Sequence, residues 1–305
     1  MIPLALSSIA EMFGLFFLGW LAQRAGILDR TTVGKIAPLV YDFLMPALII
    51  HSVITGLDLS RISELWWLPL LGIGFMLLGF LVGFLLRQGV RSKEPGVRRV
   101  FHHICAINNY GFLPIFIIQN ALTPEALALF FVFNLGSTAG YWTLGILSLG
   151  EIPDTRTALR KLISAPLVSL VVAILLAFAH AESWMPGFLL RTTEKAGSIA
   201  VPLILVCIGA SLSGSLRREW AWDLAWVSMS RLILIPLIKI GLVFLLPLAP
   251  DIRTICIIVA LMPATANAVL MTKVYGGSTE FAAAAVLVTT LGSAITIPLG
   301  IWYFL

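Results

Sequence analysis

The chain has 305 residues, of which 59% are hydrophobic and 11% are charged, with a mean hydropathy of +1.01. Soluble domains carry roughly 25% charged residues, so this composition excludes a protein whose whole surface faces water. The formal net charge of +5 comes from Lys and Arg between apolar runs. That placement serves membrane orientation and argues against nucleic acid as a partner.

Ten apolar segments predict ten transmembrane helices, because about 20 residues are needed to cross the hydrocarbon core. They lie at about 3–22, 34–55, 66–87, 100–119, 125–149, 163–181, 195–214, 223–247, 253–273 and 280–304. The segments are too long for the strands of a barrel, and backbone polar groups in lipid must be satisfied internally. We therefore predict an all-α integral membrane protein whose first segment is a retained span.

Lys and Arg in the connections indicate how the spans are oriented. If the N-terminus faces out, the inner connections hold 14 of these residues and the outer connections hold 4. The inner set includes Arg156, Arg160 and Lys161, whereas Arg191 and Lys195 belong to the outer set. Because cytoplasmic connections are enriched in Lys and Arg, both termini are predicted to lie outside the cytoplasm.

A shift of 156 positions aligns parts of the first half of the chain with the second half. Under this shift Pro46 falls on Pro202, Arg61 on Arg217, Trp66 on Trp222, and residues 135–137 on residues 291–293. Five spans per repeat is an odd number, so the halves 1–150 and 151–305 are predicted to cross the membrane in opposite directions. Inverted repeats are typical of secondary transporters, whose substrate site lies where the repeats meet.

The fourth span carries the first predicted helix break. Asn108, Asn109, Gly111 and Pro114 stand close together in the middle of this apolar segment. Pro114 lacks an N–H and obstructs a preceding carbonyl, and Gly111 permits an unwound backbone. These residue types favour a helix that is interrupted in mid-membrane.

The ninth span carries the second predicted break, with Pro263 followed by Asn267. The 156-residue shift places Asn267 on Gly111, so the two breaks occupy equivalent regions. If both helices unwind and cross, their half-helix N-termini can point at one anion. Asn108, Asn109 and Asn267 would then supply neutral donors for a carboxylate. The alternative is a pair of proline kinks whose asparagines bond the freed carbonyls.

Asp42 stands in the second span, one helical turn before Pro46. An acid within a span is a functional hypothesis, so Asp42 is a candidate carrier of a coupling proton. The alternative is a structural carboxylate with a hydroxyl or a cation as its partner. Pro46 and its repeat mate Pro202 are expected to lie in the helices beside the substrate site.

Arg231 and Lys239 lie on one face of the eighth span, because eight residues separate them. Such a pair could line an anion path, or it could snorkel or pair with an acid such as Asp42 or Glu11. Cys105, Cys207 and Cys256 are far apart in apolar runs. Their spacing indicates neither a disulfide framework nor a metal site.

An intramembrane enzyme is the alternative from another functional class. Such an enzyme needs a nucleophile with its base, or clustered metal ligands. His102 and His103 have no acidic or histidine partner at helical spacing, and His51 and His180 are isolated. The sequence therefore favours a protein that is not an enzyme.

Several motifs along the ten spans resemble the auxin efflux carrier family in its short bacterial form. The motifs are residues 44–48 (LMPAL), 109–114 (NYGFLP), Pro202 with 209–212 (GASL), 262–263 (MP) with Asn267, and 290–298 (TLGSAITIP). Each motif is loose, but their order covers the chain nearly from end to end. Residues 150–162 form a short connector where many plant members carry a long hydrophilic loop, which favours a bacterial protein.

The resemblance implies a ten-helix fold similar to that of bile-acid sodium symporters and sodium/proton antiporters. Spans one, two, six and seven would form a scaffold, often dimeric, and spans three to five and eight to ten a mobile transport domain. The crossover of spans four and nine would bind the substrate carboxylate, with Asn109 and Asn267 as ligands. Members of the family move auxin, malonate and other carboxylates.

The expected function is therefore efflux or exchange of small organic anions by an elevator movement in a bacterial inner membrane, with both termini periplasmic. No cofactor is expected, and H+ or Na+ is a possible coupling ion. A sodium-coupled symporter of the bile-acid type is the alternative on the same fold. Sodium requires several oxygen ligands, and the sequence offers few acids near the breaks.

Overall fold

The structure, a computed structural model, describes residues 2–61, 65–152, 163–212 and 216–305, and helix is their dominant regular structure. The predicted inner connection with Arg156, Arg160 and Lys161 lies outside the described residues. Within the described ranges, seven helices are long and apolar enough to cross a membrane. The protein is therefore all-α in class and of the multi-pass membrane type.

We number the helices in chain order and give the two interrupted ones as halves. They are α1 (Ile2–Arg24), α2 (Arg30–Gly56), α3 (Leu68–Leu86), α4a (Pro95–Ala106), α4b (Phe112–Ala121), α5 (Pro124–Ser148), α6 (Ala165–Phe178), α7 (Gly187–Ser211), α8 (Arg218–Leu245), α9a (Pro250–Ala260), α9b (Ala268–Tyr275) and α10 (Thr279–Phe304). Two of them contain a π-helical turn, at Val40–Leu44 in α2 and at Ser230–Leu234 in α8.

Local sequence signals explain where several helices begin. Asp29 caps α2, because its Oδ1 accepts a hydrogen bond from the backbone N–H of Thr32 at 2.7 Å. Thr123 caps α5 in the same way. Helices α4a, α5 and α9a start with a proline, whose missing N–H would have no partner in a first turn.

The seventh helix begins earlier than the sequence pattern predicted. It starts at Gly187 rather than near residue 195, so Arg191 and Lys195 lie within α7 and not in a connection. The apolar stretch marks the hydrocarbon core, whereas a helix can continue past the core into the polar interface. Hydropathy therefore underestimated the length of this helix.

The helices pack in two groups. In one group α1 packs on α7, and α2 packs on α6 and α7. In the other group α3 packs on α4a and α5, and α10 packs on α8 and α9b. Gly19 and Gly209 permit the close approach of α1 and α7, since a Cβ on either would clash with a backbone carbonyl of the other helix. The groups meet where α1 contacts α4b and α10, and where α2 contacts α5.

Each half of the chain contains an ion pair at a corresponding position. Arg61, which follows α2, binds Glu125 in the first turn of α5 at 2.7 Å. Arg217, which precedes α8, binds Glu280 in the first turn of α10. Arg61 also binds Asp251 at the start of α9a at 2.5 Å. Arg61 and Arg217 are the residues that the 156-residue shift aligns.

Candidate functional site

Both helix interruptions fall at the residues that the sequence indicated. Helix α4a ends at Ala106 and α4b begins at Phe112, while α9a ends at Ala260 and α9b begins at Ala268. Pro114 lies in the first turn of α4b, where a missing N–H costs no helical hydrogen bond. Pro263 lies in the non-helical segment between α9a and α9b. The fourth and ninth helices are thus both unwound at largely buried positions.

The two unwound segments pair with each other. Asn108 and Ala264 form an isolated antiparallel bridge, and the Asn109 N–H donates to the carbonyl oxygen of Pro263 at 2.8 Å. Buried backbone groups need hydrogen-bond partners, and this pairing supplies them where helical bonds are lost. The crossing is therefore held by main-chain bonds between the first and second halves of the chain.

The Asn108 side chain takes part in the same crossing. It is 1% exposed, and its Nδ2 donates to the carbonyl oxygen of Val259 at 2.7 Å. Val259 belongs to the last turn of α9a, where carbonyls lack helical partners. Asn108 therefore links the segment between α4a and α4b to the end of α9a through a hydrogen bond. It does not line the neighbouring cavity.

A cavity of about 170 Å³ opens on one side of the crossing. From the predicted site residues, Asn109, Gly111 and Asn267 line this cavity, and Pro114 and Pro263 do not. Its apolar wall includes Met45, Ile49, Phe131, Leu135, Leu167, Leu170, Ile204 and Ile208. Residues from both helix groups therefore enclose one space beside the unwound segments.

The cavity presents neutral polar groups and two helix N-termini. The polar lining residues carry amides or hydroxyls: Asn109, Asn134, Asn267, Thr138, Thr265, Ser164, Tyr41 and Tyr110. None of the described lining residues is Asp, Glu, Lys, Arg or His. The first residues of α4b and the N-cap of α9b are part of its wall. Helix N-termini carry partial positive charge, so this wall favours an anion over a cation. At α9b the N–H groups of Ala268 and Val269 already donate to the carbonyl oxygens of Thr265 and Ala266, so this end contributes mainly through its field.

Asn134 is a lining residue that sequence reasoning did not single out. It lies in α5, and its Oδ1 is buried without a hydrogen-bond partner among the described residues. Thr138 follows it by one helical turn on the same wall. An amide in the middle of an apolar span was the available signal, but no proline or glycine break drew attention to it.

Arg231 lies within the crossing and is 0% exposed. Its Nε and Nη2 donate to the carbonyl oxygen of Met262 at 3.1 and 3.0 Å, and its Nη1 donates to the carbonyl oxygen of Cys105 at 3.3 Å. These carbonyls lie at or just beyond the C-terminal ends of α4a and α9a, which carry partial negative charge. Neither the anion path nor the pairing with Asp42 or Glu11 considered from the sequence describes this arrangement.

Lys239 is also fully buried, two turns further along α8. Its Nζ lies 5.4 Å from the ring centroid of Phe75, and it has no hydrogen-bond partner among the described residues. A cation over an aromatic face gains electrostatic attraction from the ring. Lys239 is absent from the cavity wall, so this cation does not meet a solute bound there directly.

The remaining candidates surround the cavity without lining it. Asp42 is exposed on the π-helical turn of α2, next to Tyr41, whose side chain reaches the cavity wall. Pro46 and Pro202 lie one helical turn or less from the lining residues Met45 and Ile204. These prolines thus belong to the helices that contribute lining residues to the cavity.

Comparisons with known proteins agree with a transport role. A family described as membrane transport protein matches residues 4–301. The chain is 24% identical over 298 residues to an uncharacterized transporter of Methanothermobacter thermautotrophicus, covering 96% of each chain. It is 23% identical over 296 residues to an uncharacterized transporter of Methanocaldococcus jannaschii, covering 95% of this chain and 96% of the relative.

Proposed function

Because the chain belongs to the membrane transport protein family, the auxin efflux carrier family that its motifs resemble, we propose that it is a secondary carrier of small organic anions. The observation that carries this proposal is the cavity beside the crossing, where two half-helix N-termini and neutral amides meet. A carboxylate gains hydrogen bonds and a favourable helix field in such a site without a buried counter-charge.

The proposed architecture is ten spans arranged as two inverted repeats, residues 1–150 and 151–305. The equivalent placement of the Arg61–Glu125 and Arg217–Glu280 pairs supports this symmetry. The crossing at Asn108 and Ala264 supports it as well, because each partner comes from the unwound unit of its own half. Transporter substrate sites typically lie at such repeat interfaces.

We propose alternating access by an elevator movement. The scaffold would be α1, α2, α6 and α7, and the transport domain would comprise α3 to α5 and α8 to α10. The packing of these helices into two groups, with the cavity lined from both, supports this division. A rigid transport domain that carries the crossing past the scaffold would expose the bound anion to each side in turn.

Sodium coupling is the competing proposal, and Arg231 argues against it. A coupling sodium ion needs a cluster of oxygen ligands, and backbone carbonyls at broken helices commonly provide them. Here the guanidinium of Arg231 engages the carbonyl oxygens of Met262 and Cys105 as a permanent cation. We therefore propose transport that does not depend on sodium, with Asp42 kept as the candidate for a coupling proton.

The proposed setting is a bacterial inner membrane, with both termini periplasmic and the carrier acting as a homodimer. The exposed apolar side chains of α1 and α6, among them Phe17, Leu18, Val171 and Leu175, provide surface for lipid or for a second scaffold.

Transport by the purified protein in proteoliposomes tests the proposed function. Initial uptake of radiolabelled malonate, indole-3-acetate and other small carboxylates would be measured for the wild type, Asn109→Ala, Asn267→Ala and Asn120→Ala. Asn120 is a matched control on α4b, because its Nδ2 donates to the Phe116 carbonyl and it does not line the cavity. We expect loss of uptake in the first two variants and retention in the control. Wild-type rates in both cavity variants would reject the site.

A further inference from the structure

A second cavity adjoins the one at the crossing. It has a volume of about 970 Å³ and lies between the α1–α2 connection and the end of α7 on one side, and α9b and the start of α10 on the other. Ile208 and Ala266 line both cavities, so the two spaces adjoin at these residues. The larger cavity, here called the vestibule, therefore lies between the crossing and the side of the protein where α1 ends.

Among the residues that the structure describes, four charged side chains line the vestibule, and its two acids have local partners. Asp29 accepts a hydrogen bond from Thr32 and lies at the positive N-terminal end of α2. The hydrogen bonds from Thr32 lower the pKa of Asp29, which keeps this carboxylate ionised. Glu280 forms an ion pair with Arg217. The charge of Glu280 is therefore offset by Arg217, whereas Asp29 keeps its negative charge at the N-terminal end of α2.

The two cations, Arg30 and Lys273, are differently placed. Both side chains are exposed, and neither forms an ion pair or hydrogen bond with the part of the chain that the structure describes. Arg30 starts α2 and Lys273 lies in the last turn of α9b, so the proposed scaffold and transport domain contribute one cation each. Each wall of the vestibule therefore carries one cation that has no ion-pair partner among the described residues.

We propose that Arg30 and Lys273 form an anion-capture station that attracts the carboxylate substrate before it reaches the crossing. This inference rests on the proposed function and adds a second site to it. A cation without an ion-pair partner in a cleft with low-dielectric walls attracts anions and raises their local concentration. A carboxylate held between them would lie on the other side of the shared lining residues Ile208 and Ala266 from the cavity that Asn267 lines.

Thiol labelling measures the field in the vestibule without requiring a known substrate. Ala266→Cys places a thiol at the junction of the cavities, while the native Cys105, Cys207 and Cys256 are buried. Its reaction rate would be measured with the anionic sulfonatoethyl and the cationic trimethylammonioethyl methanethiosulfonates. We expect the ratio of the anionic to the cationic reaction rate to fall about tenfold when Arg30→Gln and Lys273→Gln are added. At high salt the ratios of the proteins with and without these two substitutions should become equal, because salt screens the charges.

Lys35→Gln is the matched control, because Lys35 is an exposed cation on α2 that does not line the vestibule. This control and the charge-conserving Lys273→Arg should keep the parent ratio. An unchanged ratio in the Arg30→Gln, Lys273→Gln background would overturn the capture station, as would a thiol that neither reagent reaches. Modification of the thiol does not require transport, so these outcomes are independent of carboxylate uptake, which tests the proposed function separately.

Discussion

The guanidinium of Arg231 binds the carbonyl oxygen of Met262 through two nitrogens, with Nε at 3.1 Å and Nη2 at 3.0 Å. A third nitrogen, Nη1, reaches the carbonyl oxygen of Cys105 in the other half of the chain. One side chain from α8 thus joins the ends of two interrupted helices that the sequence separates widely. The planar fork of arginine suits this task, because its five N–H groups point in fixed directions.

Replacing this residue should weaken the crossing. Arg231→Met keeps the bulk but leaves buried carbonyls without donors, and each lost hydrogen bond to a charged group is worth about 1.5–3 kcal/mol. We expect the melting temperature in detergent to fall by several degrees, with Arg231→Lys intermediate since an ammonium cannot reproduce the fork. A melting temperature equal to that of the wild type in Arg231→Met would remove Arg231 from this role.

Sodium should have no specific effect on the wild-type protein. If the guanidinium serves as the permanent cation at the crossing, replacing sodium chloride by choline chloride at equal ionic strength should leave the melting temperature and the uptake rate unchanged. A ligand that binds the folded state stabilises it by mass action. Stabilisation by sodium over choline would therefore show a sodium site and favour the symporter alternative.

Asn134 should contribute to substrate affinity rather than to folding. Its Oδ1 has no partner among the described residues, so Asn134→Ala removes little that stabilises the folded protein. A hydrogen bond between the amide and a substrate carboxylate would be worth about 1–2 kcal/mol, and its loss should raise KM about 5- to 30-fold. The comparison is Ser169→Ala on α6, whose hydroxyl bonds the Pro166 carbonyl and does not line the cavity. An unchanged KM in Asn134→Ala would contradict a ligand role.

Arg61 should matter more for stability than its acidic partners. Glu125→Gln removes one partly exposed ion pair, which is worth about 1 kcal/mol or less. Arg61→Gln leaves Glu125 and Asp251 as neighbouring like charges, and a larger loss of melting temperature is expected. Arg217→Gln, at the more exposed equivalent pair, should cost least. If Glu125→Gln proves more damaging than Arg61→Gln, repulsion between the two acids does not govern this cluster.

Asp42→Asn tests proton coupling. The residue lies on α2 beside the cavity-lining Tyr41, and the substitution removes the titratable proton while keeping the size of the side chain. We expect uptake by this variant to lose its dependence on pH while saturable uptake persists. If uptake by Asp42→Asn depends on pH as uptake by the wild type does, Asp42 does not carry the coupling proton.

Much of the crossing could be predicted from the sequence, because asparagine, glycine and proline clustered within one span indicate an interrupted helix. Gly111 and Pro114 located the first interruption, and Pro263 located the second. The aligned Arg61 and Arg217 turned out to make equivalent ion pairs. These features depend on local backbone chemistry or on the internal repeat, and both can be recognised in the amino-acid sequence.

Features that depend on the arrangement of distant residues were not readable. The partners of Arg231 are backbone carbonyls, and the residue types at positions 105 and 262 do not predict these hydrogen bonds. Asn108 and Asn109 are adjacent, yet one fastens α9a and the other lines the cavity, because the unwound backbone points them differently. Asn134 became a candidate after packing placed α5 beside the crossing.

The central claim is that the cavity at the crossing binds a small carboxylate, and ligand-dependent thermal stability of the purified protein tests it most directly. Wild type, Asn109→Ala, Asn267→Ala and Asn120→Ala would be melted against a panel of small carboxylates at two pH values. A ligand at about 100 times its Kd stabilises the folded state by about 2.7 kcal/mol. We predict that at least one carboxylate raises the melting temperature of the wild type and Asn120→Ala and does not raise that of Asn109→Ala or Asn267→Ala. Stabilisation that persists in both cavity variants, or that no carboxylate produces in the wild type, would contradict the claim.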